Sequence, residues 1–65
     1  MGVNIITYIN RKRIYTSLKL LKNTSLSIDE IGDLVGLNNT SYFYTLFKKE
    51  IGVSPSKYRV NLKAK

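Results

Sequence analysis

Apolar residues recur along the chain at helical rather than strand spacing. Residues 5–21 contain no Gly or Pro, and at roughly 100° per residue Ile14, Ser17, Leu18 and Leu21 collect on one side of a helix, a side that Ile9 and Leu20 widen. Arg11, Lys12, Tyr15, Lys19 and Lys22 fall opposite, so the segment is predicted to be an amphipathic helix with a broad apolar half and a basic half. A stripe that wide suits a helix held by more than one neighbour. Arg13 projects within the apolar half, where an unpaired guanidinium is costly, and an ion pair with Asp29 or Glu30 is expected.

Asn23-Thr24-Ser25 end this helix, and Ser27-Ile28-Asp29-Glu30 reads as a capping box, a Ser hydroxyl for the third amide with a Glu reaching back. A helix over residues 28–35 follows. Ile28, Ile31 and Val35 form its inward stripe, Gly32 beside them lets a neighbour approach closely, and Gly36 supplies the left-handed position that stops the helix. Leu37 returns to the core. Asn38 is the expected N-cap of a second helix running to about Glu50 with Phe43, Leu46 and Phe47 buried, and Gly52 closes it. Ser54-Pro55 then start a short helix through Tyr58 that leads into the basic tail Lys63-Ala64-Lys65. Tyr8 and Tyr58 are read as core with the two Phe residues. An internal repeat joins Gly2-Val3-Asn4-Ile5-Ile6-Thr7-Tyr8 to Gly52-Val53-Ser54-Pro55-Ser56-Lys57-Tyr58, so a unit about fifty residues long would end near Tyr8.

Composition narrows what such helices can do. Sixty-five residues make one domain at most, and at this size the buried fraction is small and stability marginal. With no Cys and no His, neither a disulfide nor a zinc site can staple the fold. Eleven Lys and Arg against four Asp and Glu give a formal charge of +7, which suits a polyanionic partner, either nucleic acid or an anionic membrane. The membrane reading is disfavoured because the apolar half of the first helix is needed for the core and its basic half carries no inserted Trp or Phe. The apolar groups are too short for a membrane span or signal peptide, so a cytoplasmic location is expected. There is no Gly-rich phosphate loop, metal constellation or nucleophile–base pair, so neither an enzyme nor a cofactor is expected.

Two helices joined by a glycine turn, with a small residue on the inner side of the first, form the helix-turn-helix pattern. The residues that carry it also carry a resemblance. Tyr8-Ile9-Asn10-Arg11-Lys12-Arg13-Ile14, Leu20-Leu21, Ile28-Asp29-Glu30-Ile31-Gly32, Val35-Gly36-Leu37, Ser41-Tyr42-Phe43, Phe47-Lys48-Lys49 and Gly52-Val53-Ser54-Pro55-Ser56-Lys57-Tyr58-Arg59 resemble the signature of the AraC/XylS family of bacterial transcription regulators. The resemblance implies an all-α, homeodomain-like fold in which residues 1–23 are the end of a first subdomain and a linker helix. Residues 24–65 are then the second helix-turn-helix subdomain. It further implies a missing first helix-turn-helix subdomain, and a sensing or receiver domain in the parent protein. Ser17 and Gly32 stand where the family usually has alanine, and Leu37 where it has an aromatic; Gly32 should cost about 0.5–1 kcal/mol of helix stability relative to Ala without changing the geometry.

By the same analogy the second helix, about residues 39–50, is the recognition helix in the major groove of double-stranded DNA. With Phe43 inward, its exposed face and N-terminal end assign base contacts to Asn39, Thr40, Ser41, Tyr44 and Thr45. Lys48, Lys49 and Arg59 are assigned to phosphates, because flexible cations near the groove rim gain from counterion release without strict geometry. The start of the first helix of the helix-turn-helix, at Ser27, is a further place for a phosphate, opposed by Asp29 and Glu30. An alternative is a protein-interaction module that uses the same helices to touch RNA polymerase or another regulator domain.

Overall fold

The computed structural model describes residues 4–63, which form four helices: α1 (Ile5–Asn23), α2 (Ile28–Leu34), α3 (Thr40–Ile51) and α4 (Pro55–Lys63). No strand occurs among the described residues. The first half of the Gly-Val repeat, at Gly2 and Val3, and the tail residues Ala64 and Lys65 lie outside them.

Each boundary has a local chemical cause. Asn4 Oδ1 accepts from the Ile6 amide at 2.8 Å and opens α1. Ser27 and Glu30 make the reciprocal capping box, Glu30 N to Ser27 Oγ at 3.1 Å and Ser27 N to Glu30 Oε1 at 2.8 Å, which satisfies two amides that a helix start leaves unpaired. Gly36 at φ 88° and Gly52 at φ 101° hold the left-handed positions after α2 and α3. The cap of α3 is Asn39, one residue later than the sequence pattern suggests, because its Oδ1 and not that of Asn38 receives the Tyr42 amide, at 3.0 Å. Ser54 Oγ accepts from Lys57 N at 3.2 Å, and α4 then continues past Tyr58 to Lys63.

The core is one cluster of Ile14, Leu21, Ile31, Val35, Leu37, Phe43 and Phe47, with Leu18, Leu20, Leu26, Ile28, Leu46, Ile51 and Tyr58 packed around it. Phe43, Phe47 and Tyr58 meet edge to face in series, with centroids 5.9 and 5.8 Å apart, an arrangement aromatic rings prefer. Ser17 is fully buried, and its hydroxyl donates to the Ile14 carbonyl. Helix α1 packs against all three others, while α2 and α3 cross at the turn. At that crossing a Cβ added to Gly32 would lie 2.8 Å from the Leu37 carbonyl oxygen and 3.2 Å from Phe43 Cδ2. Alanine therefore cannot be seated there without a shift of the turn, so the expected indifference of the geometry to this residue does not hold.

Two further expectations change. Arg13 makes no ion pair with Asp29 or Glu30: its guanidinium lies over Gly36, where a Cβ would come within 3.2 Å of Cζ, and Nη1 donates to the Gly36 carbonyl at 3.4 Å. Asp29 and Glu30 are already engaged, by Thr40 and by the cap. Tyr8 and Ile9 are not core but 53% and 41% exposed, together with Ile5 and Ile6. A helix of nineteen residues is about 28 Å long and outruns the shorter helices packed on it. Asn10, donating to Tyr42 Oη at 3.0 Å, and Arg11, 3.2 Å from Glu50, are the first α1 side chains to bond across to α3. The Tyr8 ring instead faces Lys12, whose Nζ is 5.6 Å from its centroid.

Candidate nucleic-acid interface

Phe43 and Phe47 are buried one helical turn apart and so fix the rotation of α3 about its axis. Everything opposite them is turned to solvent: Ser41, Thr45, Lys48 and Lys49 are all exposed, and Asn39 and Thr40 are exposed at the N-terminal end. The sequence-derived set is thus brought together on one helix face, with two members drawn aside. Tyr44 is half-buried, edge-on to Phe43 at 6.4 Å, and its hydroxyl meets Ser56 Oγ of α4 at 3.1 Å. The other is Arg59.

Arg59 points inward. Its guanidinium donates to the carbonyls of Leu26, of Thr24 at 3.1 Å and of Leu21 at 3.5 Å, where α1 ends and the connector to α2 begins. The last carbonyls of a helix lack intrahelical partners and carry negative partial charge, so a cation with several planar donors is well suited to them. These bonds engage Nη1 and Nη2 and turn the guanidinium toward the connector between α1 and α2, away from the exposed face of α3. At Ser27 the capping box bonds the Ser27 and Glu30 amides within the chain, so fewer amides of this helix start are left for an anion.

The polar atoms of the remaining face are themselves partly committed. Thr40 Oγ1 donates to Asp29 Oδ1 of α2 at 2.9 Å, and Thr45 Oγ1 donates to the Ser41 carbonyl one turn back, also at 2.9 Å. Asn39 turns its Oδ1 into the first turn, which leaves the N–H groups of its side-chain amide as the donors available to a ligand. Lys48 and Lys49 form no salt bridge among the described residues; Glu50, the acid beside them, is held by Arg11. The sequence pattern does not reveal the Asp29–Thr40, Asn10–Tyr42 and Arg11–Glu50 contacts, because each joins residues on different helices and depends on how those helices cross. The face combines short hydroxyls and an amide near the helix start with two cations further along, a surface able to hydrogen-bond base edges and neutralise phosphates.

A family model described as a helix-turn-helix domain matches residues 1–61. Among curated proteins, the chain is 38% identical over 58 residues to a bifunctional transcriptional activator/DNA repair enzyme of Bacillus subtilis, covering 89% of this chain and 28% of that protein. It is 36% identical over 61 residues to the xylose operon regulatory protein of Haemophilus influenzae, covering 94% of this chain and 16% of the relative. With the arabinose operon regulatory protein of Escherichia coli it shares 32% identity over 65 residues, 100% of this chain and 22% of that protein. The chain therefore spans less than a third of the length of each of these relatives. No solved structure matches it.

Proposed function

Because the chain belongs to the AraC/XylS family of helix-turn-helix proteins, we propose that it binds double-stranded DNA sequence-specifically as part of a bacterial transcription regulator, with α3 in the major groove. The observation that carries this reading is the face of α3 opposite Phe43 and Phe47, where hydroxyl side chains and cations occupy successive turns of one exposed surface. Ser41, Thr45, Asn39 and Thr40 contact base edges, and Tyr44 contributes the edge of its ring from the flank. Lys48 and Lys49 contact phosphates.

The relatives, several times longer than this chain, support a parent in which the segment is one part of a larger regulator. The exposed Ile5, Ile6, Tyr8 and Ile9 at the start of α1 supply an apolar surface for a first helix-turn-helix subdomain. A single subdomain binds weakly by itself, in the non-specific range of about 10⁻⁴–10⁻⁶ M at physiological salt.

The test is selection from a random duplex library by the complete gene product, followed by salt titrations of variants on selected and scrambled DNA. Ser41→Ala should lose about 1–3 kcal/mol on the selected site and nothing on scrambled duplex. Lys48→Ala should weaken both about equally and flatten the slope of log affinity against log salt by about one unit. No enriched sequence, or a Lys48→Ala variant that alters sequence preference while Ser41→Ala is silent, would show that α3 is not oriented in the groove as proposed.

A further inference from the structure

The hydrogen bond between Thr40 and Asp29 limits what Thr40 can say to a base. A threonine hydroxyl has a single proton and two lone pairs, whereas a carboxylate can only accept. At 2.9 Å from Asp29 Oδ1, that proton is directed to α2, and the outward side of Thr40 Oγ1 is left with lone pairs alone. Both residues are exposed, so the arrangement sits on the surface and is not locked away in the core. Its neighbours on α3 are polarised too. Asn39, with Oδ1 receiving the Tyr42 amide at 3.0 Å, keeps its side-chain N–H groups for a ligand. Thr45, donating to the Ser41 carbonyl at 2.9 Å, presents lone pairs and a methyl.

We infer that Asp29 is a positioning residue for specificity, one that makes Thr40 an obligate hydrogen-bond acceptor, so that the base facing it is an amino base, adenine or cytosine, and not a keto base, guanine or thymine. In the major groove adenine N6 and cytosine N4 are donors where thymine O4 and guanine O6 are acceptors. An unbonded hydroxyl rotates to suit either kind. Held by Asp29, Thr40 cannot rotate without breaking a charge-assisted bond, and a keto oxygen would face a lone pair. The inference rests on the placement of α3 in the groove proposed above and adds to it the chemistry of one contacted position.

The experiment is the same library selection with the complete gene product, repeated for four variants: Thr40→Val, Thr40→Ser, Asp29→Ala and Asp29→Asn. The position facing Thr40 is the one whose preference disappears in Thr40→Val. There the parent should favour adenine or cytosine over guanine or thymine by about fivefold or more, the scale of one net hydrogen bond, and Thr40→Ser should keep the preference. Asp29→Ala frees the hydroxyl proton, so the ratio should fall to within about twofold. Asp29→Asn, whose amide can donate to Thr40 Oγ1 and turn the proton outward, should lower or reverse it. Both Asp29 variants also remove a negative charge near the phosphates and strengthen binding to every duplex, which is why the readout is a ratio between bases and not an affinity.

A purely structural role for Asp29 would lower thermal stability and change all duplexes alike. Unchanged base preference in both Asp29 variants, or a keto base selected opposite Thr40, overturns the inference while leaving α3 as the reading helix. Failure of the parent to enrich any sequence overturns both readings together.

Discussion

Replacing Arg59 by alanine separates its carbonyl clamp from a role on DNA. In the structure the guanidinium reaches three carbonyls, of Leu26, Thr24 and Leu21, from α4 to the end of α1. A hydrogen bond to a charged group contributes about 1.5–3 kcal/mol, but the contact to Leu21 is long at 3.5 Å and Arg59 is only half-buried, so water can replace part of what is lost. Two effective bonds, discounted for that access, leave about 2–3 kcal/mol for Arg59→Ala. A chain of 65 residues has about 3–10 kcal/mol in total at typical stability per residue. The loss is therefore a large share, and at about 4–8 °C per kcal/mol it corresponds to a fall in Tm of about 10–20 °C. Thermal and urea unfolding followed by far-ultraviolet circular dichroism measure it directly. Arg59→Lys keeps the charge but places a compact ammonium where a planar fork spans separate acceptors, so it should recover less than half of the loss. A melting temperature within a few degrees of wild type for Arg59→Ala, combined with a salt slope of DNA binding flattened by about one unit, would refute this account and return Arg59 to the phosphate contacts.

Phe47→Ala, at a side chain 0% exposed and packed between Phe43 and Tyr58, should cost about 3–5 kcal/mol and leave the chain largely unfolded; a cooperative thermal transition close to wild type would contradict the packing. Gly36→Ala must adopt φ near 88° and meet Arg13 Cζ at 3.2 Å, so it should lose about 1–2 kcal/mol, read as a lower urea midpoint. Gly52→Ala, whose added Cβ would meet nothing within 4 Å, lacks the second of these penalties and should be milder. Ser27→Ala removes the hydroxyl that receives the Glu30 amide and should cost about 1 kcal/mol, whereas Ser27→Asp, which also caps, should restore most of it in the same unfolding assay.

What can be read from the sequence is what depends on neighbours along the chain. The capping box at Ser27 and Glu30, the glycine stops at Gly36 and Gly52, and the Ser54-Pro55 start are set by the hydrogen-bonding and steric needs of single turns. The three-and-four spacing of Ile14, Ser17 and Leu21, and of Phe43 and Phe47, assigns the buried faces because a helix has a fixed period. That same period places Ser41, Thr45 and Lys48 outward, so most of the proposed reading face is visible before any fold is built. The choice between Asn38 and Asn39 as cap is not, since both are chemically competent and the deciding factor is which one the α2–α3 turn leaves in reach of the Tyr42 amide.

Only the tertiary structure decided the partners of the charged and polar side chains. A long side chain such as Arg13 or Arg59 can reach many acceptors, and which ones lie within reach depends on helix crossings far apart in sequence: Arg59 meets carbonyls 33 to 38 residues away. Asp29, a candidate partner for Arg13 by sequence, instead holds Thr40. Tyr8 and Ile9 have the composition of core residues yet lie where α1 has passed the helices packed against it. Local chemistry and periodicity fix most of the helix boundaries and the side each helix turns to the core, because these are largely properties of a few consecutive residues. The direction of a cation or hydroxyl follows from the positions of several helices at once, and for that the chain had to fold.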